Sequence, residues 1–233
     1  MHQINYGRHD FYFELKRSNR KTLAIEVHPD SSIIVIAPEN SEIADIKTKI
    51  IKRGQWILKQ QSYFEQFLPR TPEREYISGE THYYLGKSYL LKVSLGSINQ
   101  VKLKGGKLEV ICKEEIRQEI VKKLLAQWYY QHAEKKFNKI ALEAYSKFRE
   151  YDFKMPSIEI RRMPKRRGSC NTIDKITINP EIIKTSSKCI EYVLVHEMTH
   201  LVVASHNKKF YNTLSSVMPN WQKWKDKLEQ KLA

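Results

Sequence analysis

The stretch "YVLVHEMTHLVVASH", Tyr192 to His206, decides how this chain is read. Its apolar residues would lie almost all round a helix, which marks a buried one. Yet it carries two histidines four residues apart, with a glutamate beside the first. Residues four apart on an α-helix sit about 40° apart around the axis and one turn along it. His196 and His200 therefore project from one face and can grip one ion. Glu197 lies about 100° round from His196, beside such an ion without ligating it. In this H-E-x-x-H spacing two imidazoles bind zinc, and the carboxylate takes a proton from a water activated there. The alternative is an apolar helix burying His196, Glu197 and His200 with no metal, which leaves costly polar groups without compensation.

A catalytic zinc takes three protein ligands and keeps one position open. His206 is the candidate third ligand. On an unbroken helix it would face about 240° away from His200, so the chain must turn after about Ala204. Ser205 and Asn207 supply turn chemistry there. The pattern predicts a helix from about Ser187 to Ala204, a turn, and three imidazoles on one Zn²⁺ per chain. The histidine spacing equals that of H-E-x-x-H-x-x-G-x-x-H, but Val203 stands in the place of the glycine.

The rest of the 233 residues predict an α+β fold. "FYFELKRSNRKTLAIEVHPDSSIIVIAP" holds three β-prone runs separated by turn residues. Ser41 reads as the N-cap of one long helix over about 42–68, carried by Ile43, Ile46, Ile50, Ile57 and Phe64. "VKLKGGKLEV" is a hairpin around Gly105-Gly106. From Glu114 the apolar period lengthens, predicting helix to about Tyr151. Two short strands, "SIEIRRM" and "KITINP", precede the histidine helix, and a helical tail follows it. No internal repeat is visible. The change of period puts a boundary at 112, between a β-rich region over 1–112 and a mostly helical region over 113–233, packed together as one unit.

The 41 Lys+Arg against 26 Asp+Glu leave a formal charge of +15. Such a field favours polyanions. The densest cluster, "RRMPKRR", nominates Arg161, Arg162, Lys165, Arg166 and Arg167 as a polyanion patch, with nucleic acid as the candidate partner. The three cysteines, Cys112, Cys170 and Cys189, form no CxxC pair, which argues against a disulfide framework and for a cytoplasmic protein. No apolar run suits a signal peptide or a membrane span, so no membrane partner is expected.

Several segments together resemble the YgjP-like metallopeptidases, relatives of the SprT and WLM zinc peptidases. These are "KRRGSC" at Lys165 to Cys170, "ITIN" at Ile176 to Asn179, "YVLVHEMTH" at Tyr192 to His200, "HNKKF" at His206 to Phe210 and "MPNW" at Met218 to Trp221. The N-terminal half agrees too, in "SNRKTLAIEVHPDSSIIVIAP", "WILKQ" and "YISGETHYYLGKSYLLKV". One departure stands out: Arg167 takes the place of a tryptophan usual before the family's GSC. The resemblance implies a zincin-like, minigluzincin-type catalytic region with a short sheet, and hydrolysis of protein or peptide substrates. It also implies His196, His200 and His206 as ligands and Glu197 as general base. In zinc peptidases of this build a strand before the active-site helix often takes substrate by β-addition. Lys175, Ile176, Thr177, Ile178 and Asn179 form the candidate edge strand. Tyr211 is a candidate cleft or transition-state residue with packing as its competing role; Tyr192, one helical turn before His196, is equally a cleft candidate or core; and Cys170 reads as a small buried residue. Two alternatives stand beside the peptidase. One is a basic protein associated with nucleic acid, acting on DNA-bound proteins. The other is a purely structural zinc whose fourth position is closed by a group such as Cys170.

Overall fold

A computed structural model describes residues 1–28, 30–65, 74–164, 166–171 and 174–232. They fall into two units, Met1–Thr71 and Pro72–Leu232. The first unit has four strands, β1 (His2–Tyr6), β2 (His9–Ser18), β3 (Ala24–Val27) and β4 (Ile33–Pro38), then helices α1 (Ile43–Lys52) and α2 (Gly54–Glu65). The sheet order is β1-β2-β4-β3. β1 pairs with β2 antiparallel, β2 with β4 parallel, and β3 with β4 antiparallel. Alternation along β4 buries Ile33, Val35 and Ala37 against Ile46, Ile50 and Ile57 of the helices.

The single helix expected over 42–68 is two helices, and 66–68 lie outside the described residues. The break falls at Arg53, whose backbone leaves the helical region at φ −103° and ψ 5°. Gly54 opens α2 where the Tyr6 ring presses on the chain: a Cβ there would meet ring atoms at 2.5 Å. That ring comes from β1, so nothing local announces the break. Glu42, not Ser41, holds the N-cap position of α1, and its side chain makes no capping bond.

The second unit opens with β5 (Thr81–Tyr84), β6 (Lys87–Leu95), β7 (Gln100–Lys104) and β8 (Lys107–Cys112). Its order, β5-β6-β8-β7, and its antiparallel, parallel, antiparallel pairings repeat those of the first sheet. The chain thus contains a repeated topology that its residues do not advertise. Gly105 and Gly106, at φ 54° and 73°, form the expected two-residue hairpin turn, which needs positive φ at both positions. α3 (Gln118–Tyr145) follows, with a 3₁₀ turn at Ser146–Phe148. It buries Val121, Leu125, Trp128, Ala133, Phe137, Ile140 and Ala144 at helical spacing.

The division between the units falls at 71/72, whereas the change of period in the sequence puts a boundary at 112. Leu91, Leu108, Val110 and Cys112 of the sheet share one buried cluster with Val121 and Leu125 of α3. The shift at 112 marks a change of secondary structure inside a continuous core.

Three short strands complete the frame of the site: β9 (Ser157–Ile160), β10 (Gly168–Cys170) and β11 (Lys175–Ile178). A 3₁₀ turn at Pro180–Lys184 and helices α4 (Ser187–Val202), α5 (Lys208–Val217) and α6 (Trp221–Leu232) follow. The sheet order is β10-β11-β9, with β10 antiparallel and β9 parallel to β11. The proposed edge strand at 175–179 is therefore central. β11 is hydrogen-bonded on both sides, and β10 and β9 are the edges.

Candidate metal centre

α4 begins where Ser186 caps it, its hydroxyl accepting from the Cys189 N–H at 3.3 Å. Residues Cys189 through Val195 are buried, as are Glu197, Met198 and Thr199. The buried Thr199 hydroxyl bonds back to the Val195 carbonyl at 2.7 Å. The helix ends at Val202, and Val203 is extended at φ −139° and ψ 107°. Asn207 then caps α5, its side chain accepting from the Phe210 N–H at 3.0 Å. The turn that the third histidine required is thus present, with the helix ending two residues earlier than expected.

The reversal gathers His196, His200 and His206, whose ligating nitrogens all lie within 4.8 Å of one another. The Nε2 atoms of His196 and His206 are 3.0 Å apart. His200 donates its Nδ1–H to the Ala204 carbonyl at 3.1 Å, which leaves Nε2 free to ligate. The fully buried Phe210 is the common floor, with ring centroids 5.0 Å from His196 and 4.6 Å from each of the other two. Burial, then the neighbouring histidines and Lys225, lower the His196 pKa to about 3. Burial and His200 lower that of His206. Neutral imidazoles are the ligating form, and the buried Nδ1 of His196 has no hydrogen-bond partner among the described residues. This donor set fits a zinc-type ion.

Glu197 is 7% exposed beside the cluster. Burial raises its pKa to about 7, against the pull of the Arg166 charge and a hydrogen bond from the Cys170 backbone N–H. β10 approaches this carboxylate closely. A Cβ on Gly168 would lie 2.8 Å from Glu197 Oε1 and 3.0 Å from both Glu197 Cγ and Val193 Cγ1. Glycine at 168 lets the strand run that near to α4. The resulting cleft, about 430 Å³, is walled by Arg166 and Gly168 to Asn171 on one side and by the three histidines and Glu197 on the other.

The other nominated residues separate. Asn179 is 2% exposed and donates to the carbonyls of Met163 at 2.7 Å and Arg166 at 3.0 Å. Its N–H donates to the Arg167 carbonyl at 2.9 Å. It therefore anchors the loop leading into β10, a role that an edge-strand reading misses. Thr177 bonds Glu159 at 3.2 Å, and Lys175 lies 3.8 Å from the same carboxylate. Ile176 and Ile178 are core. Cys170 bonds through Sγ to the Asn171 carbonyl at 2.9 Å, and burial followed by Glu197 raises its thiol pKa to about 11. It is not one of the clustered ligands. Tyr211 is 41% exposed and stacks on Trp221 at 5.6 Å, with His206 at 6.3 Å. Tyr192 is buried one turn before His196, 5.9 Å away ring to ring.

The basic run is no single patch. Arg166 lines the metal cleft, while Arg161 and Arg162 line another pocket with Tyr76 and Lys122. Arg167 turns its guanidinium to the Leu232 carbonyl at 2.9 Å, at the end of α6. Lys165 lies outside the described residues. The cation in the place of the family tryptophan thus ties down a helix end and does not line the cleft. Phe210 and Gly168 are the contributors whose roles went unread, although both stand in quoted segments ("HNKKF" and "KRRGSC").

The site's setting agrees with what the sequence matches, a class of metallopeptidases. Residues 21–231 fit the family model "YgjP-like, metallopeptidase domain". The chain belongs to the YgjP-like family. Two solved structures are similar in part. One is the metallopeptidase zymogen of Pyrococcus abyssi abylysin, at 20% identity over 41% of this chain and 94% of that one, with a TM-score of 0.38. The other is the metallopeptidase zymogen of Methanocaldococcus jannaschii jannalysin, at 20% identity over 43% and 90%, with a TM-score of 0.34. No curated protein matches the chain. Among the described residues no helix is long and apolar enough to cross a membrane.

Proposed function

We propose that this protein is a zinc-dependent metallopeptidase in which His196, His200 and His206 hold the ion and Glu197 is the general base. The convergence of the three ring nitrogens within 4.8 Å carries the reading. Zinc, when bound, supplies a Lewis acid and lowers the pKa of a water to about 7. Glu197 accepts that water's proton and passes it to the leaving amine, a role suited to a buried carboxylate beside the ligands.

β10 replaces β11 as the strand that receives substrate. The Asn179 N–H to Arg167 carbonyl bond and the Asn171 N–H to Lys175 carbonyl bond turn the odd-numbered residues of this segment toward β11. By alternation, Gly168 and Cys170 turn their backbone groups away from β11. An extended peptide can pair there as an added strand, with its scissile carbonyl laid beside the histidines. Phe210 keeps water from beneath the ligands. A closed structural zinc would need a fourth protein ligand, and Cys170 directs its sulfur to Asn171 instead.

The test is metal content together with hydrolysis of an unfolded casein-like substrate. Wild type should carry about one zinc per chain and cleave. Glu197→Gln should keep the zinc and lose cleavage. A Glu197→Gln protein with full activity would overturn the mechanism.

A further inference from the structure

The unit Met1–Thr71 contains none of the clustered histidines, yet it holds a groove of about 530 Å³ between the segment entering β3 and the junction of α1 with α2. Four cations line it: Lys21 from the first side, and Lys49, Lys52 and Arg53 from the second. No acidic residue is among the described lining residues. None of the four cations belongs to an ion pair among the described residues, where this unit's pairs are Lys16 with Glu14 and His28 with Glu26. Like charges gathered without counter-charge repel, and an anion between them relieves that repulsion.

The helix dipole accounts for part of this. Lys49 and Lys52 occupy the last turn of α1, where cations are favoured. It does not account for Lys21, which arrives from another element, or for Trp56. That indole lines the same groove and stays 40% exposed, while Gly54 and Ile57 of the same helix are buried. Trp is usually buried well beyond this. An accessible aromatic face between cations supplies the two things a nucleic-acid strand needs, a stacking platform for a base and neutralisation for its phosphates.

We propose that this groove binds single-stranded nucleic acid, with a base on Trp56 and the backbone against Lys21, Lys49, Lys52 and Arg53. A single strand is favoured because a paired base has no free face to offer Trp56. The concave setting argues against a membrane surface, since a bilayer is met by protruding apolar residues and not by ones set in a groove. This site stands apart from the peptidase reading and does not depend on it.

The experiment is fluorescence anisotropy of the full chain with a labelled oligothymidine of about 12 nucleotides, long enough for several phosphate contacts. Neutralising four phosphates predicts a log–log salt slope of about −3, so affinity should fall about 50-fold between about 50 and about 200 mM salt. Trp56→Ala should bind about tenfold or more weakly. The pair Lys49→Glu with Lys52→Glu should bind still more weakly. The pair Lys102→Glu with Lys104→Glu, an equal charge change on exposed β7 lysines, should bind nearly as wild type does. None of these should alter casein cleavage. Equal losses from the two lysine pairs would reduce the effect to net charge and overturn the proposal. So would full affinity in Trp56→Ala, tighter binding to the duplex, or binding to phosphatidylglycerol vesicles but not to the oligonucleotide.

Discussion

Gly168→Ala isolates the closest approach between the strand and the helix of the site. The added methyl would sit 2.8 Å from Glu197 Oε1 and 3.0 Å from Glu197 Cγ and Val193 Cγ1. Carbon contacts are optimal at about 3.5–4.0 Å, so the Glu197 and Val193 side chains must give way, or β10 and α4 part, by roughly half an ångström to an ångström. Gly168 does not have positive φ, so the cost is one of contact and not of backbone conformation. Overpacking of this kind costs about 1–3 kcal/mol. For a unit of this size that lowers Tm by about 2–4 °C per kcal/mol. The rate should suffer more, because a misplacement of about 1 Å can cost about a hundredfold. The moved atoms belong to the proposed base. Thermal melts, zinc content and casein cleavage would be measured on Gly168→Ala alone and with Val193→Ala. The zinc should remain, since no ligand is touched. Stability costs should be less than additive in the double variant, because truncating Val193 removes one of the clashing atoms. Activity should not return, because the Glu197 contacts remain. Unchanged Tm and full activity in Gly168→Ala would refute the close approach.

Two further expectations test the supports of the site. Asn179→Ala strands the Met163 and Arg166 carbonyls and the Glu181 N–H, and should cost at least about 1–3 kcal/mol in a denaturant melt; an unchanged midpoint would remove Asn179 as the anchor of β10. At Glu191, burial pushes the pKa up, but the ammonium groups of Lys147 and Lys188 outweigh it and hold the carboxyl below its ordinary value. Its contribution is therefore fully present above the unfolded pKa and lost as pH falls through the lower folded one. Glu191→Gln should lower Tm at pH 7 by an amount equivalent to about 1 kcal/mol, the lysines being partly exposed and screened. The gap between variant and wild type should close under acid, and a gap independent of pH would refute the assignment.

What could be read in advance divides by physical range. The histidine cluster was legible because helix geometry is local: four residues bring His196 and His200 to one face, and ligand count then demanded a turn before His206. The hairpin at Gly105-Gly106 was legible for the same reason. The break at Gly54 was not, since the ring that requires a glycine there belongs to Tyr6, far off in the chain. "RRMPKRR" is dense in sequence, but its side chains part toward two pockets and a helix end. The less conspicuous lysines of α1 share a groove with Lys21 instead.

The central place of β11, expected at an edge, has the same origin and bears on the proposed substrate strand. Whether a strand is central or at an edge is a property of its neighbours, and no periodicity in "KITIN" encodes it. β11 has the apolar alternation of a good strand because it is central, with Ile176 and Ile178 fully buried. β10, at three residues, is too short to show a period of two. Its composition nonetheless follows from its position. A side chain at 168, where β10 comes close to α4, would crowd Glu197 and Val193. A short strand starting with glycine in front of an H-E-x-x-H helix is thus better evidence for the cleft edge than a longer, more regular strand beside it. The regular strand is shaped by the core, and the short one by the carboxylate it must approach.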